Sequence, residues 1–123
     1  HKNRRDDRWL TVEEPFDLTA PLDAARPDQV ILIDCATMWL TNHLMAQHDI
    51  GQAQATLLTA LRRCAAPWVI VSNEVGHGIV PDNALARQFR EAQGRLNIAL
   101  AAEAELAVQV IAGLPLVLKG AMP

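Results

Sequence analysis

The sequence has no apolar run approaching the roughly 20 residues that cross a bilayer, and no secretory leader pattern, so neither a membrane helix nor an exported protein is expected. It has no excess of positive charge. Eleven Lys and Arg stand against 14 Asp and Glu, for a formal net charge of -3 and a pI near 5.7, which leaves no basic field for a nucleic-acid backbone and argues against DNA or RNA as a partner. Cysteine is scarce: Cys35 and Cys64 make neither a Cys-x-x-Cys pair nor a metal-spaced cluster, and the expectation is two buried, reduced thiols in a cytoplasmic protein. No internal repeat or low-complexity tract is present, which sets aside solenoids and linkers. The chain does not open on methionine. His1 leads an almost wholly polar run to Arg8, as if entered in mid-course, and an upstream segment is expected.

What the chain does have is the material of a core. Half of its 123 residues are apolar, and the length fits a single domain over residues 1–123. The runs Val30-Ile31-Leu32-Ile33 and Trp68-Val69-Ile70-Val71 read as buried strands, and Leu106 to Ile111 reads as a third. Trp9 to Glu13 carries β-formers with some alternation and reads as a short strand that Pro15 stops. Leu18, Leu22 and Ala25 fall at helical spacing before Pro27, and Thr37 to Met45 reads as a second helix. Gln54 to Cys64 resumes the helical pattern after a break at Asp49-Ile50-Gly51, and Asn83 to Ala104 reads as the longest helix, opened by Pro81-Asp82-Asn83. Gly113-Leu114-Pro115 turns the chain, and Leu116 to Lys119 adds a last strand. Strands separated by helical crossovers predict a parallel sheet with right-handed connections inside a three-layer α/β domain.

Polar residues gather where the strands end. Asn73, Glu74, Gly76 and Gly78 follow the Trp68–Val71 run, at the carboxyl end of a strand, where open α/β sheets collect ligands. A connecting loop with turn glycines reads equally well there. Asp34 closes the Val30–Ile33 run in the form of a Walker B element, whose carboxylate holds Mg²⁺ beside nucleotide phosphates; it reads equally as the cap of the next helix, a role Thr37 also fits. Arg87 and Arg90 lie one turn apart near the start of the long helix, placed either to reach phosphate oxygens or to form a solvated face paired with Glu91. His43 and His48, taken on one helix, point about 140° apart and make poor joint metal ligands.

With these residues laid out, the sequence resembles the bifunctional adenosylcobinamide kinase/adenosylcobinamide-phosphate guanylyltransferases of cobalamin synthesis. The resemblance rests on His1-Lys2-x-x-Arg5, Trp9-x-Thr11-x-Glu13, Leu32-Ile33-Asp34-Cys35 and Trp39-Leu40-Thr41-Asn42 in the first half. It continues through Ser72-Asn73-Glu74-Val75-Gly76-x-Gly78-Ile79-Val80-Pro81, Leu85-Ala86-Arg87-x-Phe89-Arg90, Gly94-Arg95-x-Asn97 and Ala112-Gly113-Leu114-Pro115. It implies a P-loop NTPase-like (RecA-like) fold with a mainly parallel sheet, of which these residues form the C-terminal two-thirds. A complete member begins with a Gly-x-x-x-x-Gly-Lys-Ser loop; that loop and its strand are absent from this chain.

Two reactions are implied: phosphorylation of adenosylcobinamide by a nucleoside triphosphate, ATP or GTP, and transfer of GMP from GTP to adenosylcobinamide phosphate. In the family GMP passes through a covalent histidine, and the matching residue is His1. Lys2, Asn3, Arg4, Arg5 and Glu13 match nucleotide contacts, and Asp34 matches a nucleotide or Mg²⁺ contact. For Asn73, Glu74, Arg87 and Arg90 the resemblance implies a part in the corrinoid or triphosphate site. It also implies a homotrimer. The 123 residues alone are expected to be inactive. The alternatives are a truncated piece that binds nucleotide or corrinoid without catalysis, and another P-loop small-molecule kinase to which His1 is incidental.

Overall fold

The computed structural model describes residues 8–75 and 82–123. At its centre two short apolar strands, β1 (Ile31–Asp34) and β2 (Trp68–Val71), pair in parallel, in register from Ile31 opposite Trp68 to Asp34 opposite Val71. Side chains alternate across a strand, so Ile31, Ile33, Trp68 and Ile70 all turn to one face and pack on the helical core. Leu32, Val69 and Val71 turn to the other face and are exposed.

Parallel strands need a long crossover, and here it is a pair of helices, α2 (Ala36–Met45) and α3 (Ile50–Arg63). A short α1 (Thr19–Ala24) precedes β1, and α4 (Ala84–Glu103) follows β2. Each longer helix begins on a side-chain cap that takes an otherwise unpaired N–H: Cys35 Sγ from Met38, Asp49 Oδ1 from Gln52, and Asn83 Oδ1 from Ala86. The break expected at Asp49-Ile50-Gly51 is thus the capped start of α3, and the thiol of Cys35 caps α2 in place of Asp34 or Thr37. The core joins all four helices through Leu22, Trp39, Leu40, Leu57, Leu61, Leu96 and Leu100. Arg62 donates to Glu103 and Arg63 to Asp23 at 2.7 Å, hydrogen bonds that hold both carboxyl groups below their ordinary pKa and lash α3 to α4 and α1.

The arrangement departs from expectation in two places. Trp9 to Glu13 is not a strand; the stretch from Arg8 to Glu14 is exposed throughout, so water can satisfy its backbone without a ladder. The third strand, β3 (Ala107–Ile111), does not join β1 and β2 but pairs antiparallel with β4 (Leu114–Lys119). The reason is local. Ala112 and Gly113 both take positive φ, 52° and 75°, the pattern of a two-residue hairpin turn whose twist suits its flanking strands, so β3 finds its partner two residues away. The turn is therefore Ala112-Gly113, and β4 begins at Leu114 rather than Leu116. The helices cover one face of β1 and β2, which makes a mixed α/β arrangement with a parallel sheet, as expected. Cys35 and Cys64 are free thiols, half-buried rather than buried.

The hairpin is fixed to α4 at its far end. Lys119 Nζ donates to the carbonyls of Ala101 and Ala102, both at 3.0 Å, in the last turn of α4, where orphan carbonyls and the helix dipole favour a cation. Gly120 follows with φ of +76°, and a Cβ there would sit 2.3 Å from the Glu105 carbonyl oxygen. Gly120→Ala is expected to cost roughly 1–3 kcal/mol, from the left-handed conformation and a clash with backbone. Urea unfolding followed by circular dichroism checks it; an unchanged midpoint would count against this account of the hairpin anchor.

Candidate active site

A groove of about 340 Å³ runs between the exposed stretch Trp9–Glu14 and strand β1, with the start of α2 at its end. Both Glu13 and Asp34 line it, in company with Cys35, Met38, Trp39 and Asn42. The exposed Asp34 carboxylate accepts no hydrogen bond from the protein among the described residues, and Cys35 caps the helix in its stead. That removes the capping alternative for Asp34. Glu14 is occupied differently: its Oε2 accepts from the N–H groups of Phe16 and Asp17 at 3.0 and 3.1 Å and shapes the turn into α1.

The outer wall of the groove is held down by one face of α2. Trp39 Nε1 donates to the Phe16 carbonyl at 2.8 Å, and Asn42 Nδ2 donates to the Pro15 carbonyl at 3.0 Å. His43 Nε2 lies 3.1 Å from the same Phe16 oxygen, and since a carbonyl only accepts, that nitrogen carries the proton. Its Nδ1 lies 2.9 Å from His48 Nδ1, so one of these two nitrogens donates to the other. The two imidazoles meet because they do not share a helix. α2 ends at Met45, Gln47 adopts a left-handed φ of 60°, and the His48 N–H closes back on the His43 carbonyl at 3.0 Å, so the 140° separation of a continuous helix does not apply. Phe16 and Trp39 pack their rings against His43.

The second element lies at the end of β2, next to the end of β1. Asn73 is exposed, but both of its backbone groups are taken by helices: its N–H donates to Thr37 Oγ1 of α2, and its carbonyl accepts from Asn97 Nδ2 of α4, both at 2.9 Å. Behind it Gln93, fully buried in α4, donates to Ser72 Oγ and Asn97 Oδ1 at 2.9 Å, while Ser72 donates to Asn97 Oδ1 at 2.6 Å. Glu74 follows Asn73 and is exposed.

The structure thus brings Glu13 and Asp34 to one groove, and puts Asn73 and Glu74 just past β2, with Thr37 bridging the ends of the two strands. Arg87 and Arg90 lie in the opening turns of α4, where Glu91 pairs with Arg95. His1, Lys2, Asn3, Arg4 and Arg5, and the loop from Gly76 to Pro81, lie outside the described residues. Sequence reasoning left without a role Trp39, Asn42 and His43, which hold the groove wall, and Gln93 and Asn97, which hold the β2 end. One signal for the latter was present: Gln93 interrupts the apolar stripe Phe89, Leu96, Leu100 of α4, and a polar group inside such a stripe needs a built partner.

Comparison with known proteins places the sequence among relatives. The family model described as cobinamide kinase / cobinamide phosphate guanyltransferase matches residues 1–118. The bifunctional adenosylcobalamin biosynthesis protein CobP of Pseudomonas aeruginosa is 40% identical over 124 residues, which span 98% of this chain and 71% of that protein. The proteins named CobU from Salmonella typhimurium and Escherichia coli are 38% and 35% identical, and each alignment covers 97% of this chain and 75% of the relative.

Proposed function

Because the chain belongs to the cobinamide kinase / cobinamide phosphate guanyltransferase family, we propose that it carries out both reactions that name describes, on adenosylcobinamide and then on adenosylcobinamide phosphate. The observation that carries the reading is the groove, in which Glu13 and Asp34, far apart in sequence, line one cavity beside the start of α2. It holds the guanine nucleotide, for which Lys2, Asn3, Arg4 and Arg5 supply contacts, with Arg5 offsetting phosphate charge. The His1 imidazole attacks the α-phosphorus of GTP, pyrophosphate leaves, and the phosphate oxygen of adenosylcobinamide phosphate then displaces histidine to give adenosylcobinamide-GDP. Asp34 would hold Mg²⁺: its exposed carboxylate is a hard oxygen donor, and Mg²⁺ in such sites takes one or two carboxylates with phosphate and water making up the rest. Bound there, the ion would offset phosphate charge.

Asn73, whose N–H is held by Thr37 of α2, and Glu74 serve the corrinoid acceptor, and Arg87 and Arg90 its phosphate. ATP or GTP supplies the phosphoryl group in the first reaction. The fold reading is a single P-loop NTPase-like (RecA-like), three-layer domain, supported by the exposed apolar face of Leu32, Val69 and Val71, which a further layer would cover. No helix among the described residues is long and apolar enough to cross a membrane. A cytoplasmic homotrimer, where ATP and GTP are at hand, completes the reading.

The test is direct. Full-length protein with Mg²⁺, GTP and adenosylcobinamide is expected to yield adenosylcobinamide phosphate, then adenosylcobinamide-GDP and pyrophosphate, resolved by chromatography and mass spectrometry. The absence of both corrinoid products would overturn the assignment.

A further inference from the structure

We propose that Thr37, Gln93 and Asn97 are positioning residues for the corrinoid acceptor, acting through the backbone of Asn73; the proposal rests on the functional reading of the β2 end given above. A residue that leaves a strand into an exposed loop can satisfy its N–H and carbonyl with water. Asn73 does neither. Its N–H is held by a side chain of α2 and its carbonyl by a side chain of α4, each at 2.9 Å, while its own amide side chain is exposed and makes no hydrogen bond among the described residues. The backbone is fixed from both sides, and the side chain is left for a ligand.

The fixing has a polarity. The Asn73 carbonyl only accepts, so the Asn97 amide has one orientation, with Nδ2 toward that carbonyl and Oδ1 toward Gln93 Nε2 and the Ser72 hydroxyl. Gln93 cannot release that orientation cheaply, because it is fully buried and its donors have no water to turn to. The network belongs to α4, the helix whose opening turns carry Arg87 and Arg90. One rigid element therefore sets the frame for the loop residue and for the arginines together.

The experiment uses full-length protein with substitutions that change one bond each. Thr37→Val removes the acceptor for the Asn73 N–H at nearly constant shape, Asn97→Asp keeps both acceptor contacts of Oδ1 and turns the donor to the Asn73 carbonyl into a repelling carboxylate oxygen, and Thr37→Ser restores the Thr37 contact. Thr37→Val and Asn97→Asp are each expected to lower kcat/KM for adenosylcobinamide about tenfold, with a raised KM for that substrate, because small displacements at a reacting site are costly. The nucleotide KM should stay within about twofold, and Thr37→Ser should recover to within about twofold of the parent.

Loss of folded molecules lowers kcat and moves neither KM, so a fall in kcat alone would mean a structural role and overturn the proposal. Should Asn97→Asp fail to fold, the Thr37 pair decides. Asn73→Ala separates the two layers of inference. If it leaves kcat/KM for the acceptor unchanged, the β2 end is no acceptor site and the functional reading of it fails; if it lowers that value while Thr37→Val and Asn97→Asp do not, the positioning claim fails alone.

Discussion

His1→Ala is expected to abolish guanylyl transfer while phosphorylation of adenosylcobinamide continues. In the proposed reaction the imidazole forms the bond to the α-phosphorus of GTP, and without it that route offers no enzyme-bound GMP. Removing a covalent nucleophile leaves only binding and charge stabilisation, so a fall of at least about 10³-fold in guanylyl transfer is expected. The phosphorylation step passes through no histidine intermediate, so its rate serves as the internal control for folding and nucleotide binding. The check is GTP labelled in the α-phosphate. Wild-type protein should retain label that acid releases, since a phosphoramidate is acid-labile, and the variant should retain none. Acid-labile label on His1→Ala protein would move the covalent role to another residue.

Asp34→Asn is the second large effect, and it should strike both reactions. The carboxylate sits exposed at the end of β1, lines the groove, caps nothing, and accepts no hydrogen bond from the described protein. Stability should consequently stay within about 0.5 kcal/mol of wild type, as for an exposed side chain with no structural partner. Activity should not: the substitution keeps the size of the side chain and removes the charge that would hold Mg²⁺ against phosphate, and a fall of about 10²–10³-fold in kcat/KM for both reactions is expected. Steady-state assays over a range of Mg²⁺ concentrations, alongside chemical unfolding, separate the cases. Unchanged activity would remove Asp34 from the site, and a large loss of stability would make it structural.

Much of this was legible in the sequence, for identifiable reasons. The β1 and β2 runs are apolar and β-branched, and the long helix has both a capping Asn83 and a 3.6-residue stripe, so pattern and propensity agreed. Asp34 was singled out by its place at the end of an apolar strand and Glu13 by resemblance, and the structure lines one groove with both. What escaped was decided by partners that periodicity does not name. Trp9 to Glu13 alternates like a strand but packs as a groove wall. The partner of β3 was chosen by two positive-φ residues, one of them Ala112, which composition gives no reason to suspect. His43 and His48 were separated on a helical wheel that the chain leaves at Gln47. Gln93 and Asn97 work only through Ser72 and Asn73, distant in sequence, so their roles needed the fold.

The two strand pairs also differ in time. The β3–β4 hairpin closes across a two-residue turn, a contact that can form within about 1–10 μs of the chain being released to fold. β1 and β2 pair across the whole segment that carries α2 and α3, so their contact carries the loop-closure cost of the crossover. Binding competence is therefore a late property of this polypeptide. The proposed site depends on the slower pairing, because the carboxyl ends of β1 and β2, which carry Asp34 and Asn73, become neighbours only when it is complete.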